Sequence, residues 1–158
     1  MSKEITPIKR SRQLSPLSRD HHNGLLLGWK IKQGIRNGTD KKIIAGYIKW
    51  FWQNDLEEHY REEEEILAPY LKGNDLVQRM FHEHLQIKGF IHHESMENEE
   101  ALNKLALLVS DHIRFEEREL FPLAEKLITE EDLNQIESRL GKERKDTSTW
   151  DDEFWLKK

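Results

Sequence analysis

The sequence predicts an all-α protein: an antiparallel up-down-up-down four-helix bundle followed by a short C-terminal helix and a tail. Three observations carry that expectation. Apolar residues recur at helical spacing through four long segments. Glycine and proline are scarce, eight and four in 158 residues, and Gly38, Pro69, Gly73 and Gly141 punctuate the segments. No segment has the two-residue alternation of a half-buried strand.

The first segment runs from about Pro16 to Arg36, with Leu17, His21, Leu25, Ile31 and Ile35 close to one face. Asn37-Gly38 ends it, and Thr39-Asp40 can cap the next. The second runs from about Lys41 to Tyr70, with Ile44, Ile48, Trp52, His59, Glu63 and Ile66 on a stripe, until Pro69 and Gly73-Asn74 break it. The third runs from about Asp75 to His93 and aligns Val77, Met80, His84, Ile87 and Ile91. A turn over Glu94 to Asn98 leads to the fourth, from about Glu99 to Ile128, which aligns Leu102, Leu105, Val109, His112, Glu116 and Leu120. Thr129 and Asp132 resemble a capping box that starts a short fifth helix. Beyond Gly141 the chain is polar, but Trp150, Phe154 and Trp155 suggest that the tail docks. The expected division is residues 1–13 as an N-terminal extension, 14–140 as the helical domain and 141–158 as the tail.

Composition narrows the function. With no cysteine there are no disulfides, thiol nucleophiles or thiolate-held clusters. Thirty acidic against 25 basic residues give a formal charge of −5, which does not favour a nucleic-acid partner. No apolar run approaches the roughly 20 residues of a membrane helix, and the N-terminus lacks the apolar region of a signal peptide. The expectation is a cytoplasmic protein without a membrane or nucleic-acid partner. Eight histidines are the oddity, because several sit in the apolar stripes.

The second and fourth segments hold a repeat. His59 to Pro69 and His112 to Pro122 both read H-x-R-x-E-E-x-x-L-x-P. Leu17-x-x-Asp20-His21 and Met80-x-x-Glu83-His84 echo each other more faintly. The chain thus reads as two copies of one helical hairpin, each donating a lone histidine and a His-x-x-x-Glu pair. Residues four apart stack on one helix face, so His59 with Glu63, and His112 with Glu116, can aim at one point. Counted outward from turns at Gly38, Gly73 and Glu97, histidines on successive helices differ in height by four residues or fewer. At 1.5 Å per residue that is at most about 6 Å, so all four histidines and both glutamates can share one core layer.

A buried carboxylate is costly unless paired or bound to metal. Four imidazoles and two carboxylates suit a pair of first-row ions, iron or manganese, with each carboxylate able to bridge. A single inward histidine is most often a hydrogen-bonded core residue; the doubled motif at a common height argues otherwise. His22, His82, His92 and His93 fall outside the pattern, and Glu62, Glu64 and Glu117 read as solvated faces, with Arg61 and Arg114 as surface partners of nearby acids. No histidine has a glutamate three positions before it, so the Glu-x-x-His site of ferritin-like bundles fails, and His82-Glu83 lacks the second histidine of a zinc-protease motif.

On Leu17 to Leu25, His59-x-x-x-Glu63, Glu83-His84 and His112-x-x-x-Glu-Glu-x-x-Leu-Phe-Pro122, the chain resembles the hemerythrin-like family, the HHE cation-binding domain, over about Leu14 to Leu140. The resemblance implies a four-helix bundle around a non-heme di-iron centre that meets dioxygen and related small molecules. It implies His21, His59, Glu63, His84, His112 and Glu116 as ligands, with Glu63 and Glu116 bridging two iron ions; other divalent metals are possible. Oxygen carriers of the family have a fifth histidine one turn from the third-helix ligand, where this chain has Met80 and Lys88. That leaves one iron an additional open position or brings in His22. It favours sensing, peroxide or nitric oxide chemistry, or iron handling over reversible carriage. The ligand would enter a space bordered by Gly24, Leu25, Ile66, Ile87 and Phe115. No general acid or base appears beyond the ligands, so a non-enzymatic role is expected. An alternative is a metal-stabilised regulatory or interaction module acting through Trp150 and Trp155, and either reading allows a homo-oligomer.

Overall fold

The computed structural model describes residues 9–141 and 150–156. Residues 1–8 of the N-terminal extension, and 142–149 and 157–158 of the tail, lie outside the described residues. Helix α1 (Ser15–Arg36) has Pro16 in its first turn, where a missing N–H breaks no helical bond. It ends at Asn37, and Gly38 turns the chain at φ 71°, a conformation that glycine adopts without a Cβ clash. Helix α2 spans residues 41–71 and opens on Asp40, whose side chain accepts from the Lys42 N–H. Gly73, at φ 86°, makes the next turn into α3 (Asp75–His93), capped by Asn74. Asn98 caps α4, residues 99–127, and Thr129 Oγ1 accepts from the Asp132 N–H to start α5 (Glu130–Arg139). Among the described residues there is no strand.

Two of the long helices depart from the regular α geometry expected of them. Wide π turns occupy Trp52–Leu56 and Glu63–Leu67 in α2, and Glu116–Leu120 in α4. In both repeats a wide turn opens on the glutamate of the His-x-x-x-Glu pair and ends two residues before a proline, Pro69 or Pro122. A proline there lacks the N–H for a regular helical bond, and its ring would press on the carbonyl four residues back. Widening the preceding turn relieves both demands, and π turns cluster at functional positions.

Helix α1 lies along α4 and next to α2, and α3 packs on α4. The core is split in two. One cluster holds Leu27, Ile31, Ile48, Phe51, Ile87, Leu105 and Val109; the other holds Leu14, Leu17, Leu67, Met80, Leu120 and Phe121. On all four long helices the expected histidine falls between residues of the first cluster and residues of the second. The tail contributes to the first cluster: Phe154 is buried against Gly34, Ile44 and Tyr47, and Asn37 Nδ2 donates to the carbonyls of Phe154 and Leu156. No helix among the described residues is long and apolar enough to cross a membrane.

Candidate metal centre

The layer between the two clusters is polar and buried. His21, His59, Glu63, His84, His112 and Glu116 are all buried, the two glutamates completely. Helical spacing does what the motif requires. His59 Nε2 stands 3.3 Å from Glu63 Oε1, and His112 Nε2 stands 3.3 Å from Glu116 Oε1, so the sequence repeat is also a repeat of geometry. The two hairpins meet at the carboxylates. Glu116 Oε1 accepts from His21 Nε2 at 2.9 Å, and Glu63 Oε1 lies 3.1 Å from His84 Nε2.

These atoms form two groups, His21, His59, Glu63 and Glu116, then Glu63, His84, His112 and Glu116; within each, one donor atom per residue lies within 4.8 Å of the others. Both glutamates belong to both groups. The arrangement leaves polar atoms stranded: Nε2 of His59, His84 and His112, both oxygens of Glu63 and Glu116 Oε2 are buried without a hydrogen-bond partner. Close as they are, these atoms are not aligned as hydrogen bonds. Buried polar atoms left this way are costly unless something else satisfies them. Imidazole nitrogens and carboxylate oxygens converging from four helices are a donor set for first-row metal cations, so the residues fit a bound cation.

Each imidazole is also gripped from behind. The Nδ1 of His59 bonds Asp20 at 2.9 Å, that of His84 bonds Glu64 at 2.7 Å, that of His112 bonds Glu83 at 2.8 Å and that of His21 bonds Glu117 at 3.0 Å. The bonds run in a closed ring: a carboxylate of α1 holds a histidine of α2, α2 holds α3, α3 holds α4, and α4 holds α1. An Nδ1–H given to a carboxylate leaves Nε2 facing the centre, which fixes tautomer and ring orientation together. Glu64 and Glu117 are therefore not the solvated residues their sequence context suggests. Glu62 is not either; it is buried and accepts from the Gly141 N–H at the end of α5. A signal for the ring was present, since Asp20, Glu64, Glu83 and Glu117 each adjoin an inward residue in sequence. One step along a helix turns about 100°, which points the neighbour's side chain at the adjoining helix.

The electrostatics follow from this crowding. Burial works against a charged imidazole, but the Glu116 and Glu117 carboxylates outweigh it and raise His21 to about 9. His59 and His84 are pushed well above the usual histidine range, and His112 above it, against burial, by the glutamates that face them. Burial would raise Glu116, yet His112, His21 and His84 hold it well below the usual carboxylate range. Without metal the layer holds protons where a cation would sit, and metal uptake must release them.

Tyr60, absent from the sequence argument, lies flat on His84 with ring centroids 3.9 Å apart. His22, His82, His92 and His93 are exposed, and so is Lys88, while Met80 is buried in the second cluster. The space expected beside the centre is not built as expected. Leu25 is half exposed, and a Cβ on Gly24 would sit 2.7 Å from Ile113 Cδ1, so that stretch of α1 is pressed onto α4.

Comparison with known proteins agrees with the geometry. The family model of the hemerythrin HHE cation-binding domain matches residues 19–124, two thirds of the chain and all six inward residues. Comparison with curated proteins and with solved structures finds no match.

Proposed function

We propose, on the premise that this chain belongs to the hemerythrin HHE cation-binding domain family, that its buried layer holds two iron ions and binds or senses dioxygen or a related small molecule such as nitric oxide or peroxide. In this reading His21 and His59 hold one ion, His84 and His112 hold the other, and Glu63 and Glu116 bridge them. The observation that carries it is the sharing of both glutamates between two four-residue groups in which three imidazole nitrogens and three carboxylate oxygens have no hydrogen-bond partner. Two bound irons would supply a redox-active pair with coordination positions that the protein leaves open.

The chain's own residues supply the rest. Asp20, Glu64, Glu83 and Glu117 aim the imidazoles before metal arrives. The two apolar clusters on either side exclude water, which strengthens every charge interaction within the layer. Glu63 and Glu116 bring two negative charges to offset the cations. With Met80 in the apolar core and His22 and Lys88 at the surface, no fifth histidine faces the layer, so His21 with His59, and His84 with His112, would each hold an ion together with the shared Glu63 and Glu116. Equal and incomplete donor sets favour sensing or iron handling over reversible oxygen carriage.

Metal content per chain, measured with an optical spectrum on protein made in iron-rich medium without a metal-affinity tag, tests this. About two irons with near-ultraviolet charge-transfer bands are expected. A chain that takes up no metal under these conditions would overturn the reading.

A further inference from the structure

The two halves of the centre have matching inner donors, yet their outer supports differ. Glu117, behind His21, is fixed at several points. Its Oε1 accepts from His21 Nδ1, its Oε2 accepts from Arg10 Nη2 at 2.7 Å and from Ser18 Oγ at 3.1 Å, and its main-chain carbonyl accepts from the same Arg10 nitrogen. Arg10 in turn donates from Nη1 to Glu125 Oε1 at 2.7 Å, and Glu125 accepts from the Ser11 N–H. The Arg10 side chain is only 7% exposed. Its counterpart in the other half is simpler. Glu64, behind His84, is about as exposed as Glu117, 33% against 27%, but among the described residues it bonds His84 alone.

The second pair of supports leans the same way. Asp20 behind His59 is 9% exposed, whereas Glu83 behind His112 is 18% exposed and is braced by Arg79, a half-exposed side chain that lies over the Phe115 ring. Exposed ion pairs of that kind contribute little rigidity. Ring stacking does not separate the halves, because His21 lies parallel to Phe121 as His84 does to Tyr60. Charge does not separate them either. Arg10 with Glu117, Glu125 and Asp20 sums to two negative charges, as Arg79 with Glu64, Glu83 and Glu119 does. What differs is how much side-chain freedom must be lost when the imidazole is pulled onto a cation.

We propose that Arg10, which lies outside the matched family segment, acts through Glu117 as a positioning residue that makes the His21–His59 half of the centre the first to load metal. This rests on the two-ion reading above. Where Glu117 is already locked, His21 is held in its binding orientation; where Glu64 can swing into water, His84 must be recaptured. Outer supports of metal-bound histidines change affinity by about 10- to 100-fold.

The test is a titration of the metal-free full chain with cobalt(II), followed by visible absorption and by the contact-shifted NMR signals that mark imidazoles bonded to the ion. In the native chain the first equivalent is expected to give contact shifts for His21 and His59 before His84 and His112. Arg10→Met should weaken the first step about tenfold and leave the second unchanged, while Glu64→Gln should weaken only the second. In the metal-free state the Nδ1–H of His21 should exchange with solvent more slowly in the native chain than in Arg10→Met, a difference that general destabilisation would spread over all four histidines. Contact shifts that appear together on all four histidines, or an Arg10→Met variant whose first step is unchanged or tighter, would overturn the inference and leave the two-ion centre standing. No cobalt uptake by the native chain would remove the two-ion reading and this inference with it.

Discussion

Tyr60 and His84 lie face to face, their ring planes 12° from parallel. Tyr60 is buried and also meets His59, His112 and Trp52 by ring contacts, so one side chain backs three of the four inward histidines or their neighbours. In the other repeat the same position is Ile113. Burial, and then the charges of Glu116 and Glu63, keep its phenol well above the usual range, so it stays neutral. Tyr60→Ala is expected to lower unfolding stability by about 3–5 kcal/mol, and Tyr60→Phe by less than about 1.5 kcal/mol. Denaturant unfolding of the metal-free variants checks this; equal losses would assign the effect to the hydroxyl instead of the stacked ring.

Replacing Glu63 or Glu116 by alanine removes a donor from both four-residue groups at once. Each variant is therefore expected to lose the paired-iron signal and to hold at most one metal ion, although only one side chain is gone. Metal analysis with a magnetic or optical measurement decides it. Two retained ions in either variant would refute the bridging assignment.

Acid and base should act in opposite senses on the metal-free and loaded protein. His21 is raised to about 9 from 6.5, and His59, His84 and His112 shift in the same direction. Their stabilisation is complete below the unfolded histidine value and is lost as pH rises through the folded values. Glu116 carries the other sign: its contribution is present above 4.5 and disappears only when pH falls through its depressed value. The melting temperature of the metal-free chain should accordingly fall between about pH 6.5 and pH 9. Iron affinity should rise over the same interval, because fewer protons remain to be displaced. A metal-free melting temperature that climbs through that range would contradict the assignment.

Phe154 of the tail is part of the folded core. A Cβ on Gly34 would stand 2.8 Å from Phe154 Cδ2 and 3.0 Å from Ile44 Cδ1. Gly34→Ala is expected to cost about 1–3 kcal/mol by overpacking. A companion truncation before Trp150 should destabilise the bundle without changing its metal content. Thermal unfolding and metal analysis of the two proteins separate packing from binding.

Much of this was legible in the sequence, for reasons that individual residues make plain. The bundle followed from apolar periodicity and from caps such as Asp40 and Thr129. The inward set could be read because His-x-x-x-Glu recurs at a spacing that one helix turn makes cooperative. The wide turns escaped notice, since periodicity assumes a constant pitch, although Pro69 and Pro122 mark where it fails. The outer ring escaped for a different reason. Glu64 and Glu117 look like ordinary surface acids in their own helices, Asp20 and Glu83 stand out only as neighbours of a histidine, and the adjoining helix reveals what each one holds. Arg10 is the extreme case, because its partners Glu117 and Glu125 lie more than a hundred residues away.

The split in the core bears on how the molecule behaves as a unit. Leu17 and Met80 belong to one apolar cluster and Leu27 and Ile87 to the other, with the polar layer between them. Dispersion contacts fall off within a few ångströms, so apart from the helices themselves that layer is what joins the two ends. An ion bound to residues from both hairpins adds its binding free energy to whichever state keeps the ends together. Cooperativity of unfolding in such a bundle is then adjustable from outside, rising with the supply of the ion that occupies its middle.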